Sequence, residues 1–349
     1  MQPFKSIVAA ALLCITTRAF PDARADFLKL IDRPRVDLAA QVDPPKTTDG
    51  LDQINFSYAT DATQRVPGIL LKSSKAPARS PVVIALHGTG GAKEQMLPLM
   101  RDLVARGFIA VAIDGRYHGH RTKAGKGSAE YDDAIYRTWH DAGPTTRPTV
   151  EHPLYYDTVW DISRLIDYLQ TRGDIDASRI GAIGISKGGI ETYFAAAADP
   201  RIAVAVPCIG VQSFDWEIEH DQWQGRVATF QPAFDAAIGE AAVEHADRSF
   251  VRSFFDRVTP GIAGEFDGPA MLRLIAPRPL MMINGDIDPH TPLPGVTICI
   301  DAATAAYHAA GVEDHFAFSI EAKTAHKVTP ESQAAAIEWF VQWLKPDAK

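Results

Sequence analysis

The chain has 349 residues, 46% of them hydrophobic and 22% charged, with 35 Lys and Arg against 43 Asp and Glu for a formal net charge of −8. Length and hydrophobic content are those of one large globular domain with insertions, or of two small ones. An acidic balance with no sustained basic block leaves nucleic-acid binding without electrostatic support, so no nucleic-acid partner is expected.

The N-terminus opens with Lys5, an apolar run from Ile7 to Ile15, and the segment Ala23-Arg24-Ala25. This is the layout of a secretory signal peptide over residues 1–25, with Ala19 as an alternative cleavage point. The apolar run is too short to cross a bilayer, so no membrane span is expected and the mature chain is predicted to be secreted or periplasmic. Residues 26–349 then make up the folded unit. Asp26 to Pro77 reads as a linker leading into edge strands at Gln53–Ala59 and Gly68–Lys72.

Buried-type strands are predicted at Val82–Leu86, Phe108–Ile113, Ile180–Ile185, Ile202–Ile209, Leu280–Asn284 and His315–Ile320. Helical patterns near Glu94–Arg106, Asp157–Thr171, Ile190–Ala198, Ile298–Ala310 and Pro330–Leu344 alternate with them. Such alternation predicts an α/β fold with a doubly wound, mostly parallel sheet and a site beyond the strand C-termini. Two stretches do not fit, Gly115–Leu154 and Val211–Leu274. The second (about 211–274, with a helical pattern at Gln231–Ala246) is read as a helical cap inserted over the site, since connections this long are commonly functional lids. Its aromatics Phe214, Trp216, Trp223, Phe230 and Phe234 either line a pocket or pack the cap onto the core, and packing is the simpler reading for any one of them.

The chemistry concentrates at Ile180–Ile190, I-G-A-I-G-I-S-K-G-G-I. A strand runs into G-x-S-x-G and then a helix, which is the layout of a nucleophile elbow with Ser186 at its apex. A serine hydroxyl needs an adjacent base oriented by a carboxylate, and in this type of fold the partners follow in the order acid, then His. The loop Gly285-Asp286-Ile287-Asp288-Pro289-His290 supplies two carboxylates. Asp288 is preferred as the acid and Asp286 is read as structural. Of the histidines beyond that loop, His308 lies within a helical pattern and His315 opens a strand. His326 follows a strand and precedes a helix started by Thr329-Pro330, so it is the expected base. The oxyanion donors are expected to be the backbone amides of Lys187 and of Thr89, the latter in the loop His87-Gly88-Thr89-Gly90-Gly91. His87 and His290 are read as local structure. No metal spacing is present, no cofactor is called for, and Cys208 and Cys299 are either a disulfide or two buried thiols.

The His87-Gly88 loop, the segment Asp114-Gly115-Arg116-Tyr117-His118-Gly119-His120-Arg121, the elbow, the acid loop N-G-D-I-D-P-H-T-P and His326 together resemble an α/β-hydrolase-fold serine hydrolase. Dienelactone hydrolases, acetyl xylan esterases and prolyl-oligopeptidase-type catalytic domains are the nearest groups. Dienelactone hydrolases carry cysteine where this chain has Ser186, which turns the expectation toward ordinary esters. The resemblance implies a serine carboxylesterase working through an acyl-enzyme on a small-molecule or carbohydrate ester, acetyl esters of carbohydrates among them. A peptidase or amidase of the prolyl-oligopeptidase type and a non-catalytic binding member are the alternatives, and little chain precedes Val82 to hold a propeller.

Overall fold

Every residue of the strand Ser80–Leu86 is buried, because its alternating side chains feed two separate cores. Val82, Ile84 and Leu86 share one with Phe27, Tyr156 and Phe194, while Val83 and Ala85 share the other with Met100, Leu103 and Phe340. The computed structural model describes residues 23–123, 129–142 and 151–345. The expected signal peptide therefore lies outside the described residues up to position 22.

The strands are β1 (Gln41–Val42), β2 (Lys46–Thr48), β3 (Leu51–Ala59), β4 (Arg65–Ser73), β5 (Ser80–Leu86), β6 (Ile109–Ile113), β7 (Ile175–Ile185), β8 (Ile202–Cys208), β9 (Leu280–Gly285) and β10 (Phe316–Glu321). They form one sheet in the order β1-β3-β4-β6-β5-β7-β8-β9-β10, with β2 paired to β3. Pairing is antiparallel from β1 as far as the β4–β6 contact and parallel from β6 to β10. This is the doubly wound, mostly parallel sheet expected from strand–helix alternation.

The helices are α1 (Ala23–Ile31), α2 (Leu97–Ala105), α3 (Ala129–Asp141), α4 (Tyr156–Gln170), α5 (Lys187–Ala198), α6 (Phe214–Glu219), α7 (Gln224–Val227), α8 (Gln231–Ala241), α9 (Arg248–Val258), α10 (Gly268–Arg273), α11 (Leu293–Ala310) and α12 (Pro330–Leu344). Helices α2 and α12 cover one face of the sheet, and α4, α5 and α11 cover the other. Helix α12 begins where its sequence signals it. Pro330 fills the first turn and the Thr329 hydroxyl accepts the Ser332 amide at 3.2 Å.

Three elements differ from expectation. The Asp26–Pro77 stretch is not a plain linker, because α1 drives Phe27 into the core, edge-on to Tyr156 at 5.0 Å and stacked on Phe194 at 5.2 Å. Arg24 in the same helix donates to the carbonyls of Ala197 (2.7 Å) and Leu274 (2.6 Å). Helix α5 starts at Lys187 rather than Ile190, since the pair Gly188-Gly189 serves close packing instead of ending a turn. The 115–154 stretch holds α3, which joins the cap: Trp139 stacks on Phe254 of α9 at 5.7 Å and packs against Phe250 at 5.5 Å.

Between β8 and β9 lie α6 to α10. Helix α9 is amphipathic, burying Phe250, Val251, Phe254, Phe255 and Val258, and the Asp247 side chain accepts the Phe250 amide at its start. Phe230 and Phe234 pack onto Phe254 with ring centroids 5.9 and 5.0 Å away. Those aromatics, like Phe214, are buried and hold the cap together. Trp216 stacks on His220 at 4.4 Å, and Trp223 meets Phe234 at 5.6 Å.

Candidate active site

At the end of β7 the chain turns from a buried strand into a buried helix through a single residue. Ser186 is that residue and holds φ 58° and ψ −116°, a region that residues with side chains rarely occupy. Close backbone approach enforces the turn. A Cβ on Gly184 would lie 2.0 Å from the Gly188 carbonyl oxygen, and one on Gly188 would lie 2.4 Å from the Leu86 carbonyl oxygen. The Ser186 amide donates to the Cys208 carbonyl at the end of β8 (2.9 Å). The hydroxyl is thereby fixed at the C-terminal edge of the parallel strands, on a residue only 9% exposed.

The loop after β10 is held by Asp286, whose carboxylate accepts the Thr324 amide at 3.1 Å. This brings His326 beside the elbow, with Nε2 2.7 Å from Ser186 Oγ and Nδ1 2.7 Å from Asp288 Oδ2. An ionised carboxylate only accepts, so Nδ1 carries the proton and donates to Asp288, and the Ser186 hydroxyl donates to Nε2. Burial by itself raises the Asp288 carboxyl. Hydrogen bonds from His326, the His290 amide and Thr291 outweigh that and hold it below the ordinary carboxylate range. Of the two carboxylates in the loop, Asp288 touches His326 while Asp286 braces the neighbouring turn.

Lys187 opens α5, so its amide is one of the leading helix N–H groups that have no intrahelical acceptor. The loop after β5 runs close by, and a Cβ on Gly88 would lie 3.5 Å from the Ser186 Cβ. Thr89 follows Gly88 directly and is half-buried. His87 ties this loop to the one after β6: its Nδ1–H donates to the Gly88 carbonyl (2.8 Å) and its Nε2 accepts the Gly115 amide (3.0 Å). Burial first, and then the charge of Lys187, push His87 down to about 4, so it is neutral near pH 7.

Sequence reasoning overlooked the supports beneath this site. The Lys187 side chain turns inward, wholly buried, and pairs with Glu191 one helical turn on. Asp114 is buried at the end of β6 and accepts the Lys93 amide (2.9 Å), the Lys93 ammonium (2.9 Å) and the His120 amide (2.9 Å). Arg116 forks onto Asp161 at 3.0 and 3.1 Å. The dense alternation of charge and glycine in Asp114–Arg121 was the available signal for this bracing. Cys208 and Cys299 are free and buried, so the disulfide alternative is not realised. Among the described residues no group of His, Cys, Asp and Glu is arranged to hold a metal, and no helix is long and apolar enough to cross a membrane.

Comparison with known proteins adds a family. The sequence profile described as "Glucuronyl esterase, fungi" matches residues 69–311. A protein of Bacillus subtilis (strain 168) called putative hydrolase YtaP is 25% identical over 294 residues, covering 80% of this chain and 84% of that one. The 4-O-methyl-glucuronoyl methylesterase of Hypocrea jecorina (strain QM6a) is 31% identical over 221 residues, 62% of this chain. That match spans less than half, 44%, of the fungal protein's own length. Among solved structures, an acetyl xylan esterase from Paenibacillus sp. R4 superposes with a TM-score of 0.64 at 18% identity, covering 92% of this chain and 93% of that one. At that identity the likeness speaks for the fold, which is the α/β-hydrolase type.

Proposed function

Because this chain belongs to the glucuronyl esterase family, and so to the ester hydrolases, we propose that it cleaves carboxylic esters of carbohydrates, with esters at the carboxyl group of a glucuronoyl residue foremost. The observation that carries the chemistry is the continuous hydrogen-bonded line from Ser186 Oγ through His326 to Asp288. In this reading Ser186 attacks the ester carbonyl and His326 Nε2 takes its proton. The tetrahedral oxyanion is met by the amides of Lys187 and of the loop at Thr89. His326 then protonates the leaving alcohol, Asp288 stabilises the imidazolium, and water releases the acid from the acyl-serine. The name of the Hypocrea jecorina relative supports the choice of a glucuronoyl ester over a plain acetyl ester.

We also propose that the chain is exported and that the leader ends at Ala19 rather than Ala25. Arg24 is bonded into the folded domain, and cleavage after Ala25 would remove it. The test of function is turnover of the methyl ester of 4-O-methylglucuronate, compared with acetylated xylan and dipeptide amides, by wild type and Ser186→Ala. Turnover of the glucuronate ester that vanishes in the variant is the expected result. Activity on amides alone, or activity that survives in Ser186→Ala, contradicts the reading.

A further inference from the structure

The cap meets the catalytic loop at Pro289 and His290, and it holds His290 by both its ring and its carbonyl. Its ring Nδ1–H donates to the carbonyl of Gly225 in α7. Its own carbonyl accepts from Arg226 Nη2 at 2.8 Å. Arg226 is only 1% exposed, and it also holds the Gln212 side chain through Nε (3.1 Å) and Nη2 (2.7 Å). The approach is tight enough to admit only glycine, since a Cβ on Gly225 would fall 1.9 Å from the Pro289 carbonyl oxygen.

The other side of His290 faces the triad. Its amide donates to Asp288 Oδ1 at 2.8 Å, which leaves Oδ2 free to receive His326. Its ring lies edge-on to the His326 ring, with centroids 4.4 Å apart and planes at 66°. A ring whose Nδ1 is fastened to the cap thus forms a wall against which the catalytic imidazole rests. Among the described residues the His326 ring makes two hydrogen bonds, both in the reaction line.

We propose that His290 is a positioning residue through which the cap sets the orientation of His326. The cap is then part of the machinery that aligns the base, in addition to whatever it selects. The inference rests on Ser186–His326–Asp288 being the working triad, and it is independent of the natural ester. Misplacement of a catalytic group by a fraction of an ångström to one ångström costs roughly one to two orders of magnitude in rate.

The test uses the mature protein and p-nitrophenyl acetate, with Ser186→Ala as the reference for the triad. If Ser186→Ala is as active as wild type, the triad reading fails and this inference with it. With that reading intact, His290→Ala is expected to lower kcat by about tenfold with KM changed by less than about twofold. It should also move the far-downfield proton resonance of His326 Nδ1. His290→Phe, which restores a ring edge but has no donor for the Gly225 carbonyl, should recover only part of the loss. Gly225→Ala leaves every side chain of the site in place but pushes α7 off Pro289, and should reproduce the drop in kcat. It decides the matter alone if His290→Ala does not fold. An unchanged kcat and an unmoved resonance in folded His290→Ala, or wild-type kcat in Gly225→Ala, overturns the proposal. So does a His290→Phe no better than His290→Ala.

Discussion

The elbow and the cap are built on opposite terms. At the elbow the decisive contacts lie within a few residues or one strand away: Gly184 against Gly188, Gly188 against Leu86, Ser186 against Cys208. Their purpose is to hold one hydroxyl in a strained turn, and the polar atoms of the reaction line all have partners. The cap is assembled from short helices whose aromatics meet across long sequence separations, as Trp139 does with Phe254. Among the described residues, some of its buried polar atoms have no hydrogen-bond partner, Gln212 Nε2, Glu217 Oε1 and Trp223 Nε1 among them. The reacting end is therefore preorganised by the sheet, and the cap keeps hydrogen-bonding capacity next to it.

Three changes probe this contrast, beginning with the most severe. Gly188→Ala sets a Cβ 2.4 Å from a backbone oxygen in the middle of the sheet edge. It should abolish both activity and soluble expression, whereas Gly239→Ala in α8 of the cap, where a Cβ meets nothing within 4 Å, should be tolerated. Equal tolerance of both would mean that the elbow is no more constrained than the cap. Next, Asp288→Asn should lower kcat by roughly 10³ to 10⁴ while leaving the fold intact, as loss of the tautomer-fixing carboxylate does in serine hydrolases. Asp286→Asn, at a carboxylate that accepts backbone amides of the turn at Lys323 and Thr324 and of its own loop, should cost less than about tenfold. Steady-state rates for the pair settle their order, and a reversed ranking would exchange their roles.

The smallest effect concerns acid stability. His87 is held down to about 4 by burial and by Lys187, against an unfolded value near 6.5. Its folded form thus binds fewer protons than the unfolded chain between those limits. Stability is complete above about pH 6.5 and falls as the pH drops toward 4, by on the order of 3 kcal/mol at most. His118 is lowered in the same direction, again by burial first and then by Lys187. Melting temperatures at pH 7 and pH 4.5 should differ less in His87→Asn than in wild type. An identical acid-induced drop in both would remove His87 from the account.

What could be read from the sequence follows the same division. Ser186, Asp288 and His326 each stand just past a strand, in loops whose glycine and proline punctuation is local, so residue patterns alone singled out three side chains that the structure brings within hydrogen-bonding distance. The sheet strands were legible for a similar reason, because a buried parallel strand is a continuous apolar run. Helix α1 was hidden, since the partners of Phe27 and Arg24 lie far along the chain and nothing next to those residues signals them. Helix α3 was hidden too, in a stretch whose polar composition resembles a loop until Trp139 finds the cap. His290 reads in sequence as a local turn residue. Its contacts with Gly225 and Arg226 depend on how the cap folds back, which no spacing encodes. Lys187 shows the limit most sharply, for its place at the start of the helix follows from the elbow pattern while its buried pairing with Glu191 does not.

The central claim is that Ser186 is the nucleophile, activated by His326. Its most direct test is reaction with a fluorophosphonate, followed by intact mass and peptide mapping of wild type, Ser186→Ala and His326→Ala. One adduct per chain on Ser186, absent from Ser186→Ala and formed far more slowly in His326→Ala, is the predicted result. An adduct on another residue, or equal labelling of Ser186→Ala, would contradict it.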